Sequence, residues 1–167
     1  MNKQKTLRIN GLENDSIVDG PGLRFTIFTQ GCPHGCPDCH NPQTHDTKGG
    51  RSVFLSEIIA KIDANPLLDG VTYSGGEPLL QYDALADLSV ELKKRGLNIM
   101  VYTGYTWQEI MDNFSKYERF LCNLDILVDG RFISSLKSYD LQYKGSSNQR
   151  VIDVQKSLNE GGIFLCD

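Results

Sequence analysis

The residues with most capacity for chemistry are Cys32, Cys36 and Cys39, in the run Gly31-Cys32-Pro33-His34-Gly35-Cys36-Pro37-Asp38-Cys39-His40-Asn41-Pro42. Their spacing is C-x3-C-x2-C. Three thiolates so close in sequence can converge on one site if the loop curls, and the interleaved glycines and prolines suit a tightly turning loop. A four-iron, four-sulfur cluster is normally held by four cysteines. With three, one iron lacks a protein ligand and can bind a substrate. The competing reading is a structural Cys3His zinc site completed by His34, His40 or His45. Structural zinc sites usually pair two short knuckles across a longer span, whereas these thiols share one loop and no second knuckle follows.

A second motif, Ser74-Gly75-Gly76-Glu77-Pro78, lies further along the chain. Its two glycines let the backbone approach a ligand closely, and backbone carbonyls there can accept hydrogen bonds from an ammonium group. Pro78 suits an early helical position. A strand-to-helix turn without a ligand is the alternative.

Both motifs need elements to position them, and each follows a strand signal. Residues 23–29 alternate β-branched and aromatic side chains and run straight into the cysteine loop. Residues 71–73 form a short strand before Gly75-Gly76. Ile58, Ile59 and Ile62 fall at helical spacing. Leu85, Leu88 and Leu92 make another helical stripe, closed by Lys93-Lys94-Arg95 and Gly96. Residues 97–102 and 125–128 read as strands. Between them Thr106 and Glu109 suit a capping box, with Trp107, Ile110, Met111 and Phe114 on the apolar face. Residues 45–51 and 145–149 read as loops. Alternating strands and helices predict an α/β fold with a mostly parallel sheet. A closed eight-unit barrel needs about 250 residues, so 167 residues predict a partial, incomplete β/α barrel, residues 1–167 forming one domain. Chemistry in such sheets sits at the carboxyl ends of strands.

A net charge of −4 and no basic run argue against nucleic acid as a partner. No stretch approaches the about 18 apolar residues of a membrane span, and the polar N-terminus lacks a signal core. A cytoplasmic location is expected, where clustered cysteines bind metals or do redox chemistry rather than form disulfides. Of the two isolated cysteines, Cys122 is expected to be a small buried hydrophobe and Cys166 to lie in a frayed end. Trp107 is expected in the core and Arg24 in solvent, with a cofactor carboxylate as its alternative. Asp129 reads as a turn residue, with the end of a strand near the site as its alternative, and Ser146, Ser147 and Asn148 as a hydrogen-bonded loop or a cofactor or partner contact.

Cys32-x3-Cys36-x2-Cys39 together with Ser74-Gly75-Gly76-Glu77-Pro78 resembles the radical S-adenosylmethionine superfamily. More narrowly, the chain is similar to the activating proteins of anaerobic ribonucleoside-triphosphate reductases. That likeness rests also on Asp19-Gly20-Pro21-Gly22-Leu23-Arg24, Tyr102-Thr103-Gly104-Tyr105, Asp125-Ile126-Leu127-Val128-Asp129-Gly130-Arg131-Phe132 and Gly145-Ser146-Ser147-Asn148-Gln149, covering residues 17–151. Residues 155–167 match no block.

The resemblance implies an oxidoreductase with a [4Fe-4S] cluster and S-adenosylmethionine. It would generate a glycyl radical on the reductase, with electrons from a reduced flavodoxin-like donor. It assigns Cys32, Cys36 and Cys39 to the cluster and Asp38, Cys39, His40 and Gly76 to the cofactor, Gly76 through its backbone, with no catalytic residue beyond the cluster ligands. Asp38 stands where many members carry an aromatic residue, so an adenine contact must come from backbone or another side chain. The alternatives are an activase of another glycyl radical enzyme such as pyruvate formate-lyase, a radical enzyme with a small-molecule substrate resembling carboxy-deazaguanine synthase, and a zinc-binding interaction module.

Overall fold

The computed structural model describes residues 4–166. Seven strands form one sheet in the order β3-β1-β2-β4-β5-β6-β7, where β1 is Thr6–Ser16, β2 Arg24–Thr29, β3 Arg51–Phe54, β4 Gly70–Gly75, β5 Asn98–Tyr102, β6 Ile126–Asp129 and β7 Arg150–Asp153. The central strands β2, β4, β5 and β6 are parallel neighbours. β1 is antiparallel to β2 and β3 antiparallel to β1, so β3 shares the central direction and only β1 and β7 oppose it. The sheet is open, with β3 and β7 as its edges. The expected α/β architecture with a mostly parallel, unclosed sheet is what forms.

Helices α1 (Leu55–Asp63), α2 (Tyr82–Lys94) and α4 (Phe114–Leu121) pack side by side. Strand alternation decides what faces them. Phe25, Ile27, Val71, Tyr73, Ile99, Val101 and Leu127 enter the core shared with Ile58, Ile62, Leu85, Leu88, Leu92 and Phe120. The intervening residues of β2, β4 and β5 occupy the other face: Thr26 and Thr72 are buried there, and Phe28, Ser74 and Tyr102 line a cavity. The helix signals hold. Gly96 ends α2 in the left-handed region. Thr106 and Glu109 form the capping box of α3 (Trp107–Met111), whose Trp107 is buried.

Arg24 departs from expectation. It is fully buried. Its Nε donates to Thr72 Oγ1 at 2.7 Å, Nη1 to the Pro21 carbonyl at 2.9 Å, and Nη2 to the Val71 carbonyl and both oxygens of Asn98. Oxygen acceptors replace its hydration, which is what makes burial of a cation tolerable. Burial still lowers its pKa. A Cβ on Gly70 would come within 2.5 Å of the guanidinium, so the side chain fills space that only a glycine leaves.

Both isolated cysteines differ from expectation. Cys122 is exposed just beyond α4. The Cys166 amide donates to the Val151 carbonyl, beside an isolated bridge between Ile152 and Leu165, so this end is tied to β7 rather than frayed. Three strands and two helices lie outside the elements the sequence predicts: β1, β3, β7, α5 (Val154–Glu160) and α4, whose Phe114 is expected on the face of α3 but begins a separate helix.

Candidate metal centre and cofactor cavity

The carboxyl ends of the four parallel strands meet around one cavity of about 520 Å³. After β2 comes the cysteine loop, after β4 Gly75-Gly76, after β5 Thr103-Gly104, and after β6 Gly130. All contribute to its lining, with Cys32, Cys36, Cys39, His40, Ser74 and Gly76 among the lining residues. This is where open parallel sheets place ligand sites.

The two sequence motifs are stitched together by backbone. Gly76 N–H donates to the Thr29 carbonyl at 3.0 Å and Glu77 N–H to the Gly31 carbonyl at 2.8 Å. A Cβ on Gly76 would lie 2.3 Å from the Gly31 oxygen. Gly76 is therefore required by contact. The other side of the cysteine loop is held by residues 44 and 45, whose carbonyls accept from Gly31 N–H and Cys32 N–H.

Glu77, to which the sequence assigns no role of its own, is a hub. Its side chain is completely buried. Oε1 lies 2.7 Å from His34 Nε2, 2.7 Å from Thr103 Oγ1 and 2.8 Å from Gly104 N, while Oε2 accepts from Leu79 N–H at 2.9 Å. Pro78 begins the short 3-10 turn that Glu77 caps. The placement of an acidic residue just before that proline is the signal that could have revealed the cap.

Asp38 is the one proposed site residue outside the cavity lining. It has a positive φ of 57°, and its carboxylate accepts from Ser134 Oγ at 2.8 Å. His40 packs its ring against Phe132. Asp129, expected as a turn residue, ends β6 with a buried carboxylate that accepts from Trp107 N–H and pairs with Arg150. In the 145–149 loop, Ser146 Oγ accepts from Ile133 N–H and Gln149 Oε1 accepts from two loop amides, while Gly145 and Gln149 line the cavity.

The donor set is three thiols of one loop that line one cavity. His34 Nε2 is bonded to Glu77, and the His40 ring packs on Phe132. Burial pushes the Cys32 thiol up, with Glu77 and the other two cysteines adding to it. A cluster bound by thiolates would supply the missing positive charge.

Residues 18–152 match the family of 4Fe-4S single cluster domains. The anaerobic ribonucleoside-triphosphate reductase-activating protein of Salmonella typhi is 37% identical over 81% of this chain and 91% of its own length. The pyruvate formate-lyase-activating enzyme of Clostridium pasteurianum is 36% identical over 72% of this chain, which spans only 50% of that enzyme. Among solved structures, that of QueE from Escherichia coli superposes on 60% of this chain and 53% of its own with a TM-score of 0.48 and 21% identity. The cofactors implied are a [4Fe-4S] cluster and S-adenosylmethionine. The chain belongs to the 4Fe-4S single cluster domain family and, with its relatives, to the radical S-adenosylmethionine activating enzymes.

Proposed function

We propose that this protein activates an anaerobic ribonucleoside-triphosphate reductase by generating a glycyl radical on it. The observation that carries the proposal is the convergence of Cys32, Cys36, Cys39 and Gly76 on one cavity at the carboxyl ends of the parallel strands. The similarity to reductase-activating proteins, which extends over 91% of their length, supports that partner over pyruvate formate-lyase. The latter's activator is the second reading, favoured by comparable identity over a shorter share of its length.

Cys32, Cys36 and Cys39 would hold the cluster, and Cys39, His40 and the Gly76 backbone would hold the cofactor, with Asp38 contributing through backbone. When bound, these groups supply one-electron cleavage of a carbon–sulfur bond and, from it, hydrogen abstraction at a glycine Cα. The protein's share is orientation and exclusion of water. Gly76 keeps the turn after β4 against the cysteine loop. Phe28, Tyr102 and Phe132 line the cavity with aromatic surface. A glycine suits this chemistry because its Cα carries no side chain to obstruct approach. We read the 167 residues as one domain working in the cytoplasm, with a reduced flavodoxin-like electron donor. Among the described residues no helix is long and apolar enough to cross a membrane.

Anaerobic reconstitution with iron and sulfide, followed by reduction with S-adenosylmethionine, tests the chemistry. Methionine and 5′-deoxyadenosine are expected, and neither from Cys36→Ala. Mixing with each candidate partner should give a glycyl radical signal on the ribonucleotide reductase and none on pyruvate formate-lyase. The opposite pattern reassigns the partner. Tetrahedral zinc with no iron uptake defeats the proposal.

A further inference from the structure

His34 sits between two cluster ligands in sequence, yet its ring is turned to a different task. Its side chain is 5% exposed and its Nε2 lies 2.7 Å from Oε1 of the fully buried Glu77. The space it occupies is built for it. A Cβ on Gly104 would lie 2.4 Å from the His34 ring, and Tyr105 meets the ring edge-on at 4.7 Å between centroids. Glu77 in turn takes Thr103 Oγ1 and Gly104 N–H on the same oxygen. One carboxylate thereby binds three loops: the cysteine loop through His34, the loop after β5 through Thr103 and Gly104, and its own turn through Leu79 N–H.

We propose that His34 and Glu77 are a positioning pair that fixes the cysteine loop against the turn carrying Gly76, and thereby sets how S-adenosylmethionine seats on the cluster. The inference rests on the cluster reading above. Cluster retention itself depends on the three thiols. Seating depends on the relative placement of two loops, and the Glu77 carboxylate is the side chain that spans them. Partners of this kind, one step removed from the ligands, commonly change affinity or activity by about 10- to 100-fold when lost. Gly104 belongs to the same device as the vacancy that admits the ring.

Three variants separate the pair from general stability. His34→Leu removes the hydrogen bond, His34→Gln can restore a donor to Glu77, and Gly104→Ala displaces the ring without altering either member. Each is reconstituted anaerobically, its iron content measured, and the electron paramagnetic resonance spectrum of the chemically reduced cluster recorded with and without S-adenosylmethionine. All should retain iron. His34→Leu and Gly104→Ala should bind S-adenosylmethionine about tenfold or more weakly, with an altered cofactor-induced spectral change. His34→Gln should recover part of both.

Wild-type affinity and an unchanged spectral response in His34→Leu and Gly104→Ala overturn the proposal. So does loss of iron in those variants, because the pair would then serve retention. A wild-type chain that takes up no cluster defeats the proposed function instead. The metal-free chain then decides on the clamp by amide exchange: faster exchange at Gly104 in His34→Leu supports it, and unchanged exchange overturns it.

Discussion

The cavity has two unlike walls. One comprises the cysteine loop and the turn after β4. Backbone hydrogen bonds, a glycine-to-carbonyl contact and the buried Glu77 hub hold it. The other is the strap of residues 131–149 between β6 and β7. It is folded on itself by backbone bonds such as Ser147 N–H to the Leu136 carbonyl and by side chains such as Ser146 and Asn148, and its hydrogen bond to the cysteine loop is the side-chain one from Ser134 to Asp38. It also shows Ile133, Leu136 and Tyr139 to solvent, Tyr139 at 88%. The difference teaches a division of labour. The wall bearing the thiols tolerates little displacement because backbone is packed on backbone, whereas the strap combines residues that line the cavity with side chains such as Tyr139 that stand in solvent. A small chemical centre needs the first, and in the proposed reaction the solvent-facing side chains of the second would meet the partner.

The largest expected effect is at the first wall. Cys36→Ala should abolish cluster uptake and all cofactor cleavage, read by iron content and 5′-deoxyadenosine release. Gly76→Val comes next. It drives side-chain carbons into the Gly31 carbonyl and should destabilise the fold by about 1–3 kcal/mol, the usual cost of overpacking, with S-adenosylmethionine binding falling alongside. Denaturant unfolding and binding isotherms check the two together.

At the strap, Tyr139→Ala should lower partner activation several-fold while leaving iron content and cofactor cleavage without partner unchanged. Equal loss of both would erase the distinction between the walls. Ser134→Ala removes a single exposed hydrogen bond to Asp38, a loss of about 1 kcal/mol, and should weaken S-adenosylmethionine binding slightly, read in binding isotherms, with iron content unchanged.

The smallest effect concerns the strap's anchor. The Thr106 backbone amide, together with Arg131, holds the Glu109 carboxyl below its ordinary value. A depressed carboxylate pKa adds stability above the unfolded value of about 4.3 and loses it as pH falls through the folded one. Both partners of the ion pair are 43% exposed, so solvent screening keeps the contribution small. Wild type should exceed Glu109→Gln slightly in denaturation midpoint at about pH 6, with the gap closing towards about pH 3.

The two walls also differ in how readily sequence betrays them. The central strands β2, β4, β5 and β6 are legible because their apolar runs lead into glycine- or cysteine-bearing motifs. The marginal strands were not. In β3 only Val53 is buried, and β1 alternates clearly only at Leu7 and Ile9 before turning polar and exposed. Such strands are fixed by antiparallel pairing with distant partners, which local periodicity does not record. The burial of Arg24 was hidden for the same reason, since its acceptors Thr72 and Asn98 lie far along the chain. His34 was readable as a candidate metal ligand by type, but its partner Glu77 becomes visible only when the two loops are brought together.

The contact between Gly76 and the Gly31 carbonyl bears on how this architecture can be recombined. The cysteine loop and the turn after β4 share one interface, so they must be inherited or transplanted as a pair. A chimera that imports a relative's thiol-bearing segment alone would meet a host surface shaped for another.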